Sequence, residues 1–391
     1  MKAKKVRIIG AGFSGLITAY FCVKNGLEVE IYEGGSSSGG IIASLKTDFG
    51  LIERAANTLK GTRLIKKVLQ DLNVPLAERL PGAKRRYLWT AQGPSQWPFN
   101  FKNSLVVIQK VLSLMTGNKS LRPRPLEDLK SWSVRCFNPV ITDSVILPAF
   151  QGVYGDHTEN LSATLVVGKL FNQKRESGLM LAPEHGMGQL LIALTDFLQR
   201  SHCQFHFGAM RKCEDLDHPQ VFCGPLHQLS QFCPDLNVGS LTMKEMTSVS
   251  LCYEKSSSDL DGFGVLYPAG SSGRTHGALG SVFNSSVFSN RSQHRLETWY
   301  FPGDVKLDQA REARDNYYPQ SKEVSKFIAG EVFFHKKAFP AYDVNLERFL
   351  ISKPQLPEGV HLMGNYLGEI GLSGIAERAR KLVEERLCHG S

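Results

Sequence analysis

The chain has 391 residues, 42% hydrophobic and 21% charged, with 46 Lys and Arg against 37 Asp and Glu. This composition excludes a disordered or fibrous chain, and the length suits two domains. The basic surplus has no aromatic-interleaved run of the kind that grips single strands, so nucleic acid is not an expected partner, while an acidic ligand or an anionic membrane surface stays open.

The first motif lies close behind the N-terminus. "VRIIG" reads as a β-branched strand, "GAGFSG" as a tight turn, "LITAYFCVKNG" as a helix closing on Gly26, and "LEVEIYE" as a second strand ending at Glu33. Gly10, Gly12 and Gly15 break the apolar run, so it is neither a signal peptide nor the roughly 20 apolar residues of a membrane span. Their spacing is that of a dinucleotide site. Gly10 permits the turn, Gly12 lets backbone approach a pyrophosphate, and Gly15 lets helix pack on strand. The phosphate is favoured by the free N–H groups and dipole of the helix start, and Glu33 stands where a carboxylate meets ribose hydroxyls. Ala11, Phe13 and Ser14 complete the turn.

Gly39 and Gly40 follow in a serine-rich loop, and "FGLIERAAN" reads as a short strand returning toward the same site. Residues 62–72 have helical periodicity, with Leu64, Ile65, Val68, Leu69 and Leu72 on one face. "KRRYLWTAQGPSQWPFNF" departs from the nucleotide-binding pattern and marks the passage into another domain. Two helices are expected around "SLVVIQKVLSLM" and "LEDLKSWSVRCFN", and an amphipathic helix after "LAPEHGMG", with Leu190, Leu191, Leu194, Phe197 and Leu198 as its stripe. "SVSLCYEK", "GFGVLYPA" and "LGSVFNSSVF" alternate like strands. Eight cysteines include no CxxC pair, which predicts reduced thiols and no metal site.

The C-terminal stretch "GVHLMGNYLGEIGLSGIAERARKLVEERL" reads as strand, glycine turn and helix. Gly364, Gly368 and Gly371 bring backbone close to a ligand, and the helix start aims N–H groups at it. A nicotinamide gives no reason for this second structure; a flavin does, because its pyrimidine ring gains negative charge on reduction and a helix N-terminus stabilises that charge.

These segments resemble the flavin-dependent protoporphyrinogen oxidases, within the amine oxidase and phytoene desaturase superfamily. "GAGFSG", "IYEGGSSSGG" and "GLIERAAN" are similar to its three N-terminal FAD segments. "QGVYGDHTENLSA", "GMGQLLIAL", "AFPAY" and "GNYLGEIGL" match along the chain, and "GFGVLYP" with "LGSVFNSSVF" is the specific signal. The resemblance implies an α/β fold: a Rossmann-like FAD-binding domain assembled from separated segments, with an inserted α+β substrate domain. The FAD parts are placed at 1–78, 183–255 and 330–391. The substrate parts are placed at 79–182, largely helical, and 256–329, formed of strands.

By the same resemblance, FAD contacts fall on Gly10 to Gly15, Glu33, Gly34, Gly39, Gly40, Ile41, Arg54, Ala55, Ala56, Asn57, Gly364, Ile370, Gly371 and Leu372. Met210 takes a position whose backbone meets the adenine. Phe263, Gly264 and Leu266 border a tetrapyrrole, and Lys102 meets a propionate. FAD is expected to be non-covalent, since the nearest cysteine before the last glycine turn is Cys252. The implied reaction is hydride transfer from protoporphyrinogen IX or coproporphyrinogen III to flavin N5, with reoxidation by O2 or another electron acceptor. The flavin carries this chemistry, so no catalytic side chain is expected, and His185, His276 and His335 read as structural or surface residues. The expected location is cytoplasmic, with contact at the cytoplasmic face of a membrane left open, as is oligomeric state.

The chain departs from the pattern at Ile41, where many superfamily members carry arginine, in the missing glycine after Glu53, and in its shortened middle. Two rival readings therefore stand beside the first. One is an amine oxidase or carotenoid desaturase, with Tyr342 and Tyr366 as candidates for an aromatic cage. The other is a non-catalytic binder of FAD or porphyrin.

Overall fold

The structure is a computed structural model that describes residues 4–90, 92–97, 109, 119–168, 178–213, 217–236, 238, 241–268, 277–319, 325–353 and 355–388. Its first unit is β1 (Lys5–Ile9), α1 (Phe13–Lys24) and β2 (Glu28–Glu33), with β1 and β2 parallel. Val6, Ile8 and Ile9 are buried on both faces of β1, as a central parallel strand requires. A hairpin of β3 (Ser44–Thr47) and β4 (Gly50–Glu53) follows, then β5 (Leu59–Lys60) and α2 (Arg63–Asp71), which the Thr62 hydroxyl caps by accepting from the Ile65 N–H. The chain next forms β6 (Arg86–Thr90), β7 (Gly93–Gln96), α3 (Leu129–Cys136), α4 (Leu147–Tyr154) and β8 (Met180–Leu181). It returns through α5 (Met187–Arg200), β9 (Gln204–Phe207) and β10 (Gln220–Phe222). Then come β11 (Met243–Tyr253), β12 (Gly264–Leu266), β13 (Gly280–Val282), β14 (Arg295–Pro302), α6 (Leu307–Tyr317), β15 (Phe327–Pro340), α7 (Val344–Ser352), β16 (Val360–Leu362) and α8 (Leu372–Leu382).

Two sheets organise these elements. A parallel five-stranded sheet runs β16-β10-β1-β2-β9, so its neighbours come from distant parts of the chain. One of its apolar cores gathers Leu16 and Ile17 of α1, Ile65 of α2, Leu190 and Leu194 of α5 and Ile375 of α8. A second gathers Trp132, Phe222, Phe232, Tyr342 and Leu346. The other sheet runs β15-β11-β14-β13-β12-β6-β7. Its period of two sorts β14: Trp299 and Phe301 enter the core beneath α6, while Tyr300 borders the cavity described below.

The strands β11 and β15 differ from the expected division of the chain. Residues 243–255 and 330–340 were assigned to the FAD part, yet β11 and β15 pair with each other and with β14 in the seven-stranded sheet. Alternation identifies a strand but not the sheet it joins. "LGSVFNSSVF" also differs: only Gly280–Val282 is strand, and Asn284–Val287 is a helical turn. Its serines bond to β14 from this turn. The Ser285 hydroxyl accepts from the Leu296 N–H at 3.1 Å, and the Ser286 hydroxyl from Arg295 at 3.1 Å. Of the helix expected around 104–115 the described residues include Gln109, which is helical.

Candidate nucleotide and substrate site

Beneath the two sheets lies one cavity of about 980 Å³. At one end the backbone turns at Gly10, whose φ of +107° suits glycine. Gly15 packs against it so closely that a Cβ would stand 1.8 Å from the Gly10 carbonyl oxygen. Gly12 precedes α1 with no side chain capping its first turn, and no atom lies within 4 Å of where its Cβ would be. The first N–H groups of α1 are thus left for an anion. Glu33 braces the same turn, one carboxylate oxygen accepting from the Ala11 N–H and the other from the Gly35 N–H, both at 2.7 Å. Met210 folds over Gly34.

The C-terminal glycine turn reaches the same cavity. Gly364, Ile370, Gly371 and Leu372 border it, and Gly371 caps α8 with no side chain, its Cβ position also open. The structure therefore brings together Gly10, Gly12, Phe13, Ser14, Glu33, Gly34, Gly39, Gly40, Ile41, Ala55, Ala56, Met210, Phe263, Gly264, Leu266 and the C-terminal group along one lining.

Four expected positions stand behind that lining. Ala11 and Gly15 are buried in the turn itself. The Arg54 side chain is exposed, while its carbonyl accepts from the Ser248 hydroxyl at 2.8 Å and from His335 Nε2 at 2.9 Å. Asn57 belongs to a buried polar chain: it donates to the Tyr300 hydroxyl and accepts from Asn284 at 2.5 Å, and Thr298 donates to Asn284 at 2.9 Å. This chain fixes the loop after β4 onto the floor of the second sheet. Lys102 and His276 lie outside the described residues.

The far end of the cavity is an apolar slot between α4 and the second sheet. Gly152 lies so close to Leu266 that a Cβ would be 2.3 Å from its methyl, and Val282, Leu279 and Phe263 continue the wall. Arg86 stands here, its guanidinium 4.6 Å above the Phe263 ring, and no ion pair forms on it among the described residues. Arg86 is exposed on one side; partial burial of its charge, and then the charge of Arg79, press its pKa below the ordinary arginine value. Sequence reading passed over Arg86 inside "KRRYLW", and likewise Lys337 and Tyr300, which also border the cavity, as does His335, read there as a structural or surface residue. The signal was the register of β6, β15 and β14, which no local motif carries. Tyr342 and Tyr366 do not form a cage: both are buried behind the cavity, donating to the carbonyls of Asn365 and Phe222.

Behind the nucleotide end, Glu53 is 1% exposed and accepts from the Ser44 hydroxyl at 2.6 Å and the Met187 N–H at 2.9 Å. Arg291, equally buried, stands 3.8 Å away. Burial outweighs these partners and pushes the Glu53 carboxyl from 4.5 up to about 7. The folded state thus holds a proton that the unfolded chain releases near its ordinary value, so stability from this site is lost as pH rises from about 4.5 through 7. Glu53→Gln is expected to flatten that loss, roughly 2–3 kcal/mol across the interval. Melting temperatures of both proteins at pH 5, 6, 7 and 8 test it, and parallel curves contradict it.

All eight cysteines are free thiols. Among the described residues no helix is long and apolar enough to cross a membrane, and no cluster of metal-ligating side chains occurs.

Fold and cavity define a Rossmann-type nucleotide-binding chain, and a family model for an NAD(P)-binding Rossmann-like domain matches residues 8–72. The chain has homologues among the protoporphyrinogen oxidases and structural neighbours in the flavin amine oxidase superfamily, which are oxidoreductases. It is 22% identical to protoporphyrinogen oxidase 2, chloroplastic/mitochondrial, of Arabidopsis thaliana, over 95% of this chain and 91% of the relative. A putative protoporphyrinogen oxidase from Exiguobacterium sp. 255-15 superposes with a TM-score of 0.74 at 16% identity, covering 98% of each chain. Putrescine oxidase bound to putrescine superposes with a TM-score of 0.72 at 14% identity, again over 98% of each.

Proposed function

We propose that the protein binds FAD without a covalent link and oxidises a porphyrinogen, protoporphyrinogen IX or coproporphyrinogen III. The observation that carries this reading is the single cavity joining both glycine turns to an apolar slot that ends in one cation, Arg86. The residues fit the cofactor. Two helix starts without side-chain caps, α1 and α8, supply N–H donors for the pyrophosphate and the pyrimidine ring, and Glu33 supplies the ribose acceptor. The cysteine in the cavity wall, Cys223, has its thiol pushed up to about 12 by burial, which favours non-covalent binding.

A bound flavin supplies hydride acceptance from a saturated carbon and passes the electrons to O2 or another acceptor. The chain's part is orientation. Phe263, Leu266, Val282 and Gly152 hold an apolar macrocycle and exclude water, and Arg86 anchors a carboxylate at its edge. Arg86→Met is expected to raise KM for a carboxylated porphyrinogen roughly 10- to 100-fold, the 1.5–3 kcal/mol of a hydrogen bond to a charged group. Flavin content should be unchanged, and steady-state kinetics with an absorbance spectrum checks both.

The lack of an aromatic cage at Tyr342 and Tyr366 disfavours an amine. Anaerobic mixing of the flavin-loaded protein with protoporphyrinogen, coproporphyrinogen and putrescine tests the reading. Bleaching of the flavin by a porphyrinogen supports it; bleaching by the amine alone, or tight porphyrinogen binding with no bleaching, overturns it. Contact with a membrane surface and a cytoplasmic location belong to the same proposal, with the basic surplus as their support.

A further inference from the structure

Charge is sparse along the cavity. Among the described residues bordering it, the acid is Glu33 and the permanent cations are Arg86 and Lys337. Glu33 accepts from two backbone N–H groups and keeps its remaining lone pairs for hydroxyl donors. Arg86 is on β6 and Lys337 on β15, and in the strand order β15-β11-β14-β13-β12-β6 they are separated by about 24 Å of sheet, at roughly 4.8 Å per strand spacing. The two cations therefore serve different parts of whatever fills the cavity.

The neighbours of Lys337 lie on the nucleotide side. His335, Lys337 and Phe339 alternate along β15 and all border the cavity. The strand packs against the turn Asn365–Leu367, directly ahead of the Gly368–Gly371 segment. His227, in the turn after β10, is close enough to feel the ammonium: burial first, and then Lys337, press its pKa below the ordinary histidine value. Its Nδ1 is buried without a partner among the described residues. Lys337 itself forms no ion pair there.

We propose that Lys337 tunes the cofactor: its ammonium stabilises the negative charge that a flavin ring acquires on two-electron reduction. This rests on the reading that FAD fills the cavity. The balance needs no further reactant. The substrate C–H bond breaks, a hydride carries two electrons and a proton to the ring, the ring gains one negative charge, and the oxidised substrate sheds its own proton. Lys337 acts beside the start of α8, which bears on the same charge through its unpaired N–H groups.

The test compares wild type, Lys337→Met, Lys337→Arg and Lys336→Met, each saturated with FAD. Lys336 is the adjacent exposed lysine outside the cavity lining, and both lysines are exposed, so folding is not at stake. Flavin content is read from the visible spectrum, and the two-electron potential from titration against a reference dye. Sulfite affinity gives a second measure, since this anion adds to the ring. Lys337→Met is expected to retain flavin, to lower the reduction equilibrium about tenfold, which is about 30 mV for two electrons, and to bind sulfite about tenfold more weakly. Lys337→Arg and Lys336→Met are expected to stay near wild type. An unchanged potential and sulfite affinity in Lys337→Met overturns the proposal, and so does a change confined to the KM of an anionic substrate. If wild type supplied with FAD stays colourless, the flavin reading fails and this proposal falls with it.

Discussion

Gly15→Ala is expected to yield a chain that neither holds nucleotide nor reaches the stability of the wild type. The added methyl would stand 1.8 Å from the Gly10 carbonyl oxygen and 3.3 Å from Ile8 Cγ2. The obstructing atom is backbone, in the turn whose geometry makes the anion site, so no side chain can swing away. α1 would have to lift from β1, separating Leu16 and Ile17 from the core they share with α5 and α8. Overpacking of this kind costs on the order of 3 kcal/mol or more, and lifting α1 also withdraws its N–H groups from the phosphate. Chemical denaturation and flavin titration of the purified variant check the two effects separately. Gly12→Ala is the instructive comparison, because no protein atom lies within 4 Å of its Cβ position. It should fold normally and lose affinity alone.

Glu297→Leu is expected to lower stability by about 3–5 kcal/mol, the usual cost of removing one partner from a buried ion pair. Arg295 and Glu297 of β14 and Arg314 of α6 are each 4% exposed or less. Burial raises the Glu297 carboxyl, but the charges of Arg295 and Arg314 and hydrogen bonds from Arg295 at 2.7 Å and Trp299 at 2.8 Å hold it below its ordinary value. Removing the carboxylate leaves Arg295 with no ion-pair partner among the described residues and Arg314 with Asp315 alone, 3.6 Å away. One lies 4.0 Å over the Phe283 ring and the other 3.9 Å over Tyr253, and neither ring replaces an anion. Adding Arg314→Met should recover part of the loss, as a double-mutant cycle would measure. No recovery would mean that Arg314 is not held by this carboxylate.

The nucleotide half of the site was legible because its information is local. Gly10, Gly12 and Gly15 specify a backbone path by what they lack, and their spacing places strand, turn and helix without reference to the rest of the chain. Gly371 ahead of α8 is the same kind of signal. Arg86 and Lys337 were not legible, because a cation in a solvated run and one in a cavity wall look alike until pairing decides which face turns inward. Asn57 shows the same limit from the other direction. Its place in "GLIERAAN" pointed to the cofactor, whereas its amide is consumed by Tyr300 and Asn284, partners more than 200 positions away. β11 and β15 were recognisable as strands, but the sheet they enter is chosen by partners late in the chain.

The order β16-β10-β1-β2-β9 has a consequence for how the protein is made. β1 and β2 are made before the rest of their sheet, yet the parallel layer they belong to closes only when Val360–Leu362 pairs with β10 and α8 covers α1. Within this stretch α1 therefore lacks its α8 cover until those distant elements have been made. Such non-local pairing folds slowly, so a cavity that needs both glycine turns takes shape late in folding.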